Sequence, residues 1–284
     1  MLRSAVMDEP IVARGTVYLV GAGPGDPGLL TRRGHQVLQH CDVVLFDALV
    51  SPEVLALARP RATRIDVGKR GHAPSTLQPD INAVMVAHAR AGRCVVRLKG
   101  GDPFLFGRGS EEAEALAAAG IPFEIVPGVS SALAVPAYAG IPVTDRRLAS
   151  SLAIVTAACA APGEAERSLA RAAGVDTVVV LMGLSTLPRV TAALAAHGRS
   201  EDTPAAAISA GTTRRQRTVV ATLGTLAAAA RDAALTSPVL IVVGDVVRMR
   251  SRLAWFEPEA DPSDDLQTGT GFHPDIPLAY SVVP

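Results

Sequence analysis

Aromatic residues are scarce in this chain, at 4% of 284 positions, and charged residues reach only 19% against 49% hydrophobic. So apolar a composition excludes wholesale disorder, and the length suits one large or two ordinary domains with a sizeable core. No excess charge of either sign is present, since 27 Lys plus Arg balance 27 Asp plus Glu. A protein that grips long nucleic acid or an anionic bilayer carries a basic excess, so neither is expected as a partner; local basic patches stay compatible with the balance. Cysteine is nearly absent. Cys41, Cys94 and Cys159 are odd in number and lack CxxC spacing, which excludes a disulfide framework or cysteine zinc site and fits small buried thiols in a reducing cytosol. The histidines (His35, His40, His72, His88, His197, His273) lack metal-ligand spacing, so no metal is expected. Long apolar runs are missing too: a branched run such as Val239–Val243 has strand length, far short of a membrane span. The first fifteen residues hold Asp8, Glu9 and Pro10 where a signal peptide needs an apolar core. These absences predict a soluble cytoplasmic protein.

What is present is a rhythm of short β-branched runs, Gly/Pro-rich turns and Ala/Leu-rich amphipathic stretches. The pattern predicts strands at Thr16–Val20, Asp42–Phe46, Thr63–Val67, Cys94–Leu98 and Phe123–Val126, with helices near Leu29–Gln39, Pro52–Leu57, Gln78–Ala91 and Glu111–Ala119. Such alternation implies a mostly parallel sheet covered on both faces. A small-residue helix, Ser130 to Tyr138, and the turn Gly140-Ile141-Pro142 close this first unit. A second series has strands at Leu152–Thr156, Thr177–Leu181, Ala205–Ser209, Thr218–Thr222 and Val239–Val243, and helices at Glu164–Ala173, Thr186–Ala196 and Thr225–Asp232. The stretch Ala207 to Val220 reads as an antiparallel hairpin in a mixed sheet. The expected fold class is α/β, two domains with mostly parallel or mixed sheets. Its divisions are an N-terminal extension (1–15), an N-terminal domain (16–147), a C-terminal domain (148–257) and a tail (258–284) rich in Pro, Asp and Gly that is expected to be disordered.

Two loops carry the strongest chemical signals. The first strand runs into Gly21-Ala22-Gly23-Pro24-Gly25-Asp26-Pro27-Gly28, a nucleotide-binding context, and Asp47 closes the second strand where dinucleotide folds keep a ribose-binding carboxylate. The fit to a phosphate cradle is poor. Asp26 holds the third-glycine position and would repel phosphate, while Pro24 and Pro27 remove backbone donors. A plain tight turn is the bland alternative. The fourth strand runs into Lys99-Gly100-Gly101-Asp102-Pro103-Phe104-Leu105-Phe106-Gly107-Arg108-Gly109-Ser110-Glu111-Glu112, again at the strand edge where open α/β sheets bind ligands. Glu111 and Glu112 read as helix-start carboxylates without a catalytic role, whereas Arg108 between two glycines is more than surface decoration. Met182 ends a second-unit strand, either as core packing or as a ligand-facing thioether. Arg214–Arg217 and Arg248–Arg252 read as solvated basic loops.

Lysine is the rarest charged residue. Lys69 and Lys99 are the two lysines among 27 basic residues, and both follow predicted strands on the presumed ligand edge. Burial can bring a lysine toward neutrality and make it a proton donor or acceptor, which arginine cannot be. Asp47 at a neighbouring strand end is the complementary base, or else a turn carboxylate.

Val-Gly-Ala-Gly-Pro-Gly-Asp (20–26), Val-Gly-Lys-Arg (67–70), Arg-Leu-Lys-Gly-Gly-Asp-Pro-Phe (97–104), Phe-Gly-Arg-Gly (106–109), Val-Pro-Gly-Val-Ser-Ser-Ala (126–132), Ala-Gly-Ile-Pro-Val-Thr (139–144), Leu-Met-Gly-Leu (181–184) and Gly-Thr (211–212) follow in one order. In this the chain resembles the tetrapyrrole methylases, and within them the uroporphyrinogen-III C-methyltransferases, over roughly Val17 to Phe256. The resemblance implies two α/β domains with S-adenosyl-L-methionine in the cleft, S-adenosyl-L-homocysteine as product, a small-molecule tetrapyrrole as the other substrate, and a homodimer. It implies donor contacts from Pro24, Gly100, Gly101, Asp102, Leu105, Ser130, Ser131, Met182 and Gly211. It assigns proton acceptance to Asp47, proton donation to Lys69, substrate handling to Arg108 and Met182, and propionate binding to Arg146. The implied reaction adds methyls to rings A and B of uroporphyrinogen III, giving precorrin-2 for sirohaem, cobalamin or haem d1. A sulfonium donor has no phosphate, which makes proline and Asp acceptable in the glycine loops. The chain departs from the family pattern at Phe46, Ser110, Asp145 and Ala157-Ala158, so its donor-side motifs are better kept than its substrate-side ones. Competing readings are methylation of a later precorrin or other acceptor, a dinucleotide-dependent oxidoreductase, and a non-catalytic ligand-binding protein.

The lysine argument generates a test. Arginine keeps the charge of Lys69 but stays protonated at any working pH. We expect Lys69→Arg to fold and bind S-adenosylhomocysteine normally yet turn over at least about tenfold more slowly with uroporphyrinogen III. Turnover near that of the unsubstituted protein would reduce Lys69 to a charge anchor; Lys99→Arg controls for the exchange of cations.

Overall fold

In a computed structural model the structure describes residues 12–68, 77–159, 161 and 163–256. Lys69, most of the N-terminal extension and the tail from 258 lie outside the described residues. The chain forms two five-stranded sheets. Strands β1 (Val17–Gly21), β2 (Val43–Phe46), β3 (Thr63–Asp66), β4 (Val95–Lys99) and β5 (Phe123–Val126) are all parallel, in the order β3-β2-β4-β1-β5. The central pair β1 and β4 is buried along its whole length, which is why both read as continuous runs with no alternation.

Alternate residues sort the helices onto the two faces. Tyr18, Val20, Val44, Val96 and Leu98 pack against Val37 and Leu38 of α1 (Arg32–His40) and Val54 of α2 (Pro52–Ala56). Val17, Leu19, Val43, Leu45 and Val95 pack against Ile81 and Met85 of α3 (Gln78–Arg90) and Ala113 and Leu116 of α4 (Gly109–Ala118). Sequence cues place the starts: Thr31 and Ser51 cap α1 and α2 through side-chain oxygens, and Pro52 takes the first turn of α2, where its missing N–H costs nothing. β1 thus leaves over one face through α1, and its neighbour β4 leaves over the other through α4. The strand ends therefore diverge, which opens a crevice between β1 and β4.

The second sheet runs β6 (Leu152–Thr156), β7 (Thr177–Leu181), β10 (Val239–Val243), β8 (Pro204–Ser209) and β9 (Arg217–Thr222). It is mixed: β6 and β7 are parallel, the other pairs antiparallel, with β8 and β9 as the expected hairpin. One face is covered by α6 (Glu164–Ala172), α7 (Leu187–Ala196) and α8 (Leu226–Asp232). The other is covered by α5 (Ser131–Tyr138), whose Ala132 and Val135 pack with Val179, Ile208, Leu240 and Val242. α5 follows the last strand of the first sheet in sequence, yet it belongs to the core of the second.

The basic run Arg248–Arg252, expected as a solvated loop, is instead a 3-10 turn (Asp245–Met249) leading into a short helix, α9 (Arg250–Leu253). Arg250 is part-buried and donates to the Ala139 carbonyl, and the Trp255 indole donates to Ala137 O at 2.9 Å. Arg250 thereby takes up a carbonyl at the end of α5, and Trp255 adds to the Ala137 carbonyl, which also accepts from Gly140 N at 3.0 Å. Tyr138 stacks edgewise on Trp255 and Phe256 with centroids 5.0 Å away, and its hydroxyl donates to Asp26 Oδ2 at 2.6 Å. Burial, reinforced by that carboxylate, pushes the Tyr138 hydroxyl up to about 12.

One hydroxyl thereby ties the first glycine loop to α5 and, through the Tyr138 ring, to Trp255 and Phe256. Tyr138→Phe keeps the ring packing and loses the charge-assisted bond, so unfolding in urea should show a loss of about 1.5–3 kcal/mol. An unchanged midpoint and slope would mean that water replaces the bond without cost.

Candidate active site

The parallel first sheet brings five strand ends to one edge, and the loops there are bound to each other through main chain. Gly23 N donates to Gly101 O at 3.2 Å and Gly101 N donates to Gly23 O at 2.7 Å, an antiparallel bridge between the loops after β1 and β4. A Cβ on Gly21 would lie 2.5 Å from Gly128 Cα and 2.6 Å from Gly101 O, so three loops touch where only glycine fits. Gly101 has φ +68, and a Cβ there would meet nothing nearer than Ser131 N at 3.7 Å and Ser130 Cα at 4.0 Å. A side chain there would lie in van der Waals contact with the main chain at the start of α5.

Asp102 joins these parts. Its Oδ1 accepts from Phe104 N at 2.8 Å and its Oδ2 from Gly128 N at 3.1 Å. Ser130 caps α5 by accepting from Ala132 N, as its position before a small-residue helix suggested. Leu105 reaches over to pack on the α5 side of the second sheet. Pro24 lies beside the bridge in the first loop. That loop meets the second sheet as well: Asp26 N donates to Thr212 Oγ1 at 3.2 Å, and a Cβ on Gly25 would crowd Thr212 and Thr213. Asp26 caps the turn Pro27–Leu29 by accepting from Gly28 N at 2.7 Å, so its carboxylate is a structural cap bound on two sides. Gly211 is pressed against α5, since a Cβ there would come 2.5 Å from a methyl of Val135.

Met182 comes to the same edge by register. Leu181 and Ile208 both pair with Leu240, so Met182 and the Ala210–Gly211 turn leave the second sheet at one end. Met182 is 49% exposed, which rejects the core-packing alternative. Phe106, Arg108, Met182, Ala210 and Thr212 all have left-handed backbone without being glycine, and all lie in these loops. Such strain persists where surrounding structure over-determines it, as at binding sites. Leu49, Phe104 and Phe106 add exposed apolar surface at this edge. Composition did not reveal them as a group, because their exposure is decided by the loops that hold them.

The strand ends also hold a cluster of charges. Arg97 and Lys99 are alternate residues of β4, on the face covered by α3 and α4, and are 2% and 3% exposed. Glu112 of α4 is fully buried against them: Arg97 Nε donates to Oε1 at 2.9 Å, and Lys99 Nζ lies 3.1 Å from Oε2. Gln78 Nε2 donates to the same Oε1 at 3.1 Å. On the open side Arg97 Nη2 donates to Asp47 Oδ1, and Lys99 Nζ is 3.8 Å from Asp47 Oδ2. Burial holds the Lys99 ammonium below its ordinary value, with Arg97 adding to the effect and the two carboxylates opposing it. Glu112 is the opening-turn residue expected from sequence, but its carboxylate points into the protein and balances two cations.

Other expected residues stand apart from this cluster. Arg108 opens α4 with φ +59 and forms a two-pronged pair with Glu111, at 2.8 and 2.6 Å, on the exposed side. Arg146 is exposed in the turn closed by the Asp145–Ala149 bridge and has no carboxylate partner among the described residues. Neighbouring Asp145 is engaged by Arg147 through two bonds of 3.1 and 3.2 Å, which holds its carboxyl low. Among the described residues no group of three or more His, Cys, Asp or Glu could hold a metal, and no helix is long and apolar enough to cross a membrane.

Comparison with known proteins fits this arrangement. The model of the tetrapyrrole (corrin/porphyrin) methylases matches residues 16–227. The chain belongs to that family. The siroheme synthase of Tolumonas auensis is 52% identical to this methylase over 244 residues, 86% of this chain and 52% of that protein. Siroheme synthase 2 of Aeromonas salmonicida is 50% identical over 256 residues, 90% of this chain and 53% of that protein. The methylase thus spans about half the length of the curated relatives it matches. The crystal structure of uroporphyrin-III C-methyl transferase from Thermus thermophilus complexed with S-adenyl homocysteine is 40% identical, with a TM-score of 0.71, covering 82% of this chain and 99% of that one. A cobalt precorrin-4 methyltransferase is 29% identical, with a TM-score of 0.73 over 82% of this chain and 96% of that one.

The methylase's buried charges make a stability prediction. Glu112→Ala strands Arg97 and Lys99 without their shared counter-ion, so denaturant unfolding should show a loss of about 3–5 kcal/mol. A loss below about 1 kcal/mol would mean that water enters and solvates the cations.

Proposed function

We propose that this chain transfers methyl groups from S-adenosyl-L-methionine to carbons of uroporphyrinogen III, on rings A and B, giving precorrin-2 by way of precorrin-1. The observation that carries the reading is the glycine-bridged crevice facing Ser130 and Ser131, in a chain 40% identical to the S-adenyl homocysteine complex of uroporphyrin-III C-methyl transferase. The main chain left bare at Gly101 suits a ligand that must lie against backbone, and half-exposed Met182 on the facing edge suits an adenosine or macrocycle face. Asp26 is turned away into its own cap, so it opposes no ligand charge.

S-adenosylmethionine supplies an electrophilic methyl on a sulfonium. In-line transfer asks the protein mainly for alignment and exclusion of water. In this reading Pro24, Gly100, Gly101, Asp102, Leu105, Ser130, Ser131, Met182 and Gly211 hold the donor, chiefly through backbone brought close by the glycines. The attacking atom is an electron-rich pyrrole carbon, and one proton leaves the macrocycle for each methyl gained. Asp47 takes that proton at Oδ2, the oxygen not bonded to Arg97, and its side chain is 30% exposed toward the cleft. Lys69 is the proton donor of this reading, toward a position of the macrocycle that gives up another proton to water, so that one proton is still released for each methyl. Arg108 and Arg146, on the exposed side, pair with the carboxylates of an eight-fold anionic substrate. A cytoplasmic homodimer completes the proposal, on the strength of the family likeness.

Incubation with enzymatically generated uroporphyrinogen III and S-adenosylmethionine, followed by mass analysis, should show the gain of one and then two methyl groups. Retained S-adenosylhomocysteine binding with no methylated product would move the acceptor to a later precorrin or another metabolite. Binding of NAD in its place would remove methyl transfer altogether.

The donor site has its own test. Gly101→Val forces a branched side chain onto a left-handed backbone and crowds the start of α5 at Ser130 and Ser131. Calorimetry should show affinity for S-adenosylhomocysteine reduced at least about tenfold while circular dichroism stays unchanged. Unaltered affinity would place the donor elsewhere.

A further inference from the structure

We propose that Arg97, Lys99 and Glu112 are positioning residues for Asp47: the buried Glu112 carboxylate fixes two cations on β4, and these hold the Asp47 carboxylate in one orientation at the mouth of the cleft. The inference deepens the proposed function and rests on Asp47 being the proton acceptor.

Charge and location both support it. Arg97 and Lys99 occupy positions that elsewhere on this face of the sheet are filled by Val95, Leu19 and Leu45. Apolar side chains there would spare the protein the desolvation of buried ions, and replacing such groups by hydrophobic ones is often stabilising. The cluster therefore has little to offer stability and a clear geometric result. With Asp47 ionised, two cations meet two anions and the buried set is neutral. When Asp47 takes up a proton the set carries one net positive charge, and handing that proton on restores neutrality before the second methylation. The orientation is equally defined: Arg97 occupies Oδ1, and Oδ2 is left toward Lys99 and the cleft.

Among the described residues the charged and polar groups around Asp47 come from four elements, and β3 contributes Asp66, in register with Phe46. β4 contributes Arg97 and Lys99, and α4 contributes Glu112 with the exposed Arg108–Glu111 pair beyond it. α3 contributes the neutral Gln78 and Asn82, bonded to each other and through Gln78 to Glu112. Burial and neighbouring Arg97 hold the Lys99 ammonium low, and Asp47 and Glu112 both act against that, which is the support this wiring requires of them.

Because Lys69 and Lys99 are the chain's two lysines, lysine labelled with 13C at Cε gives two signals in the full-length protein, and Lys99→Arg identifies one of them. Asp47→Asn and Glu112→Gln should each move the Lys99 titration to lower pH, as each removes an anion that supports the ammonium. An unmoved Lys99 signal in Asp47→Asn overturns the inference whether or not the protein methylates anything.

The second arm follows methyl transfer against pH. Lys99→Met removes a cation near Asp47, so the acidic limb of kcat/KM should shift to higher pH, with kcat at neutral pH at least about tenfold down. Glu112→Gln leaves both cations to Asp47 alone, so the limb should shift to lower pH. S-adenosylhomocysteine affinity should stay unchanged in both. A merely structural cluster would lower rates with the limb in place or displaced the same way, and that result overturns the inference. Absence of methyl transfer by the unsubstituted protein refutes the proposed function instead, and the lysine signals still decide the cluster.

Discussion

The two-way main-chain pairing of Gly23 with Gly101 is the constraint on which this site depends. Neighbouring parallel strands β1 and β4 send their connections over opposite faces, so their ends are driven apart and would leave an unshaped gap. The pairing draws the two loops back together beyond the strand ends, close enough that Gly21, Gly101 and Gly128 meet through backbone. Side chains are excluded at that contact, and the floor of the crevice becomes a surface of peptide groups. Asp102 then anchors the third loop by accepting from Gly128 N, and Ser130 starts α5 from that fixed point.

From this floor the two sheets are coupled in a way that their sequence order obscures. α5 begins at the first sheet's ligand edge and lies on the second sheet, where its apolar side completes a core. Its far end is held by Arg250, Trp255 and the Tyr138–Asp26 bond, which leads back to the first glycine loop. Thr212 binds that loop from the other side. The crevice is therefore bounded by a circuit of contacts, and Thr212, one of the left-handed residues at this edge, is part of it.

Against this mostly apolar body the Asp47–Arg97–Glu112–Lys99 set stands out as an electrostatic device. Its cations sit at the last two positions that central strand β4 offers on the α3–α4 face, and its one part-exposed member faces the cleft. Low dielectric strengthens each of these attractions and makes every unpaired state costly, so the set is rigid in its neutral form and responsive to a single proton.

Periodicity and turn chemistry were enough to read most of the secondary structure and the α/β class. Thr177–Leu181 and Val239–Val243 fall where the branched runs placed them, because buried inner strands tolerate few other residues, and the edge strands Phe123–Val126 and Leu152–Thr156 also fall where expected. The glycine loops were legible for a similar local reason: close backbone approach admits one residue type. The burial of Glu112 was not legible, since a carboxylate in the first turn of a helix looks the same whether it faces water or two cations from another strand. Nor was the part of Arg250 in closing α5, a contact across more than a hundred residues that no local pattern encodes. The sequence by itself determined the elements and the glycine-lined edge, through short-range rules of backbone and periodicity. Tertiary structure alone decided which charges were taken out of water, because burial depends on what packs from afar.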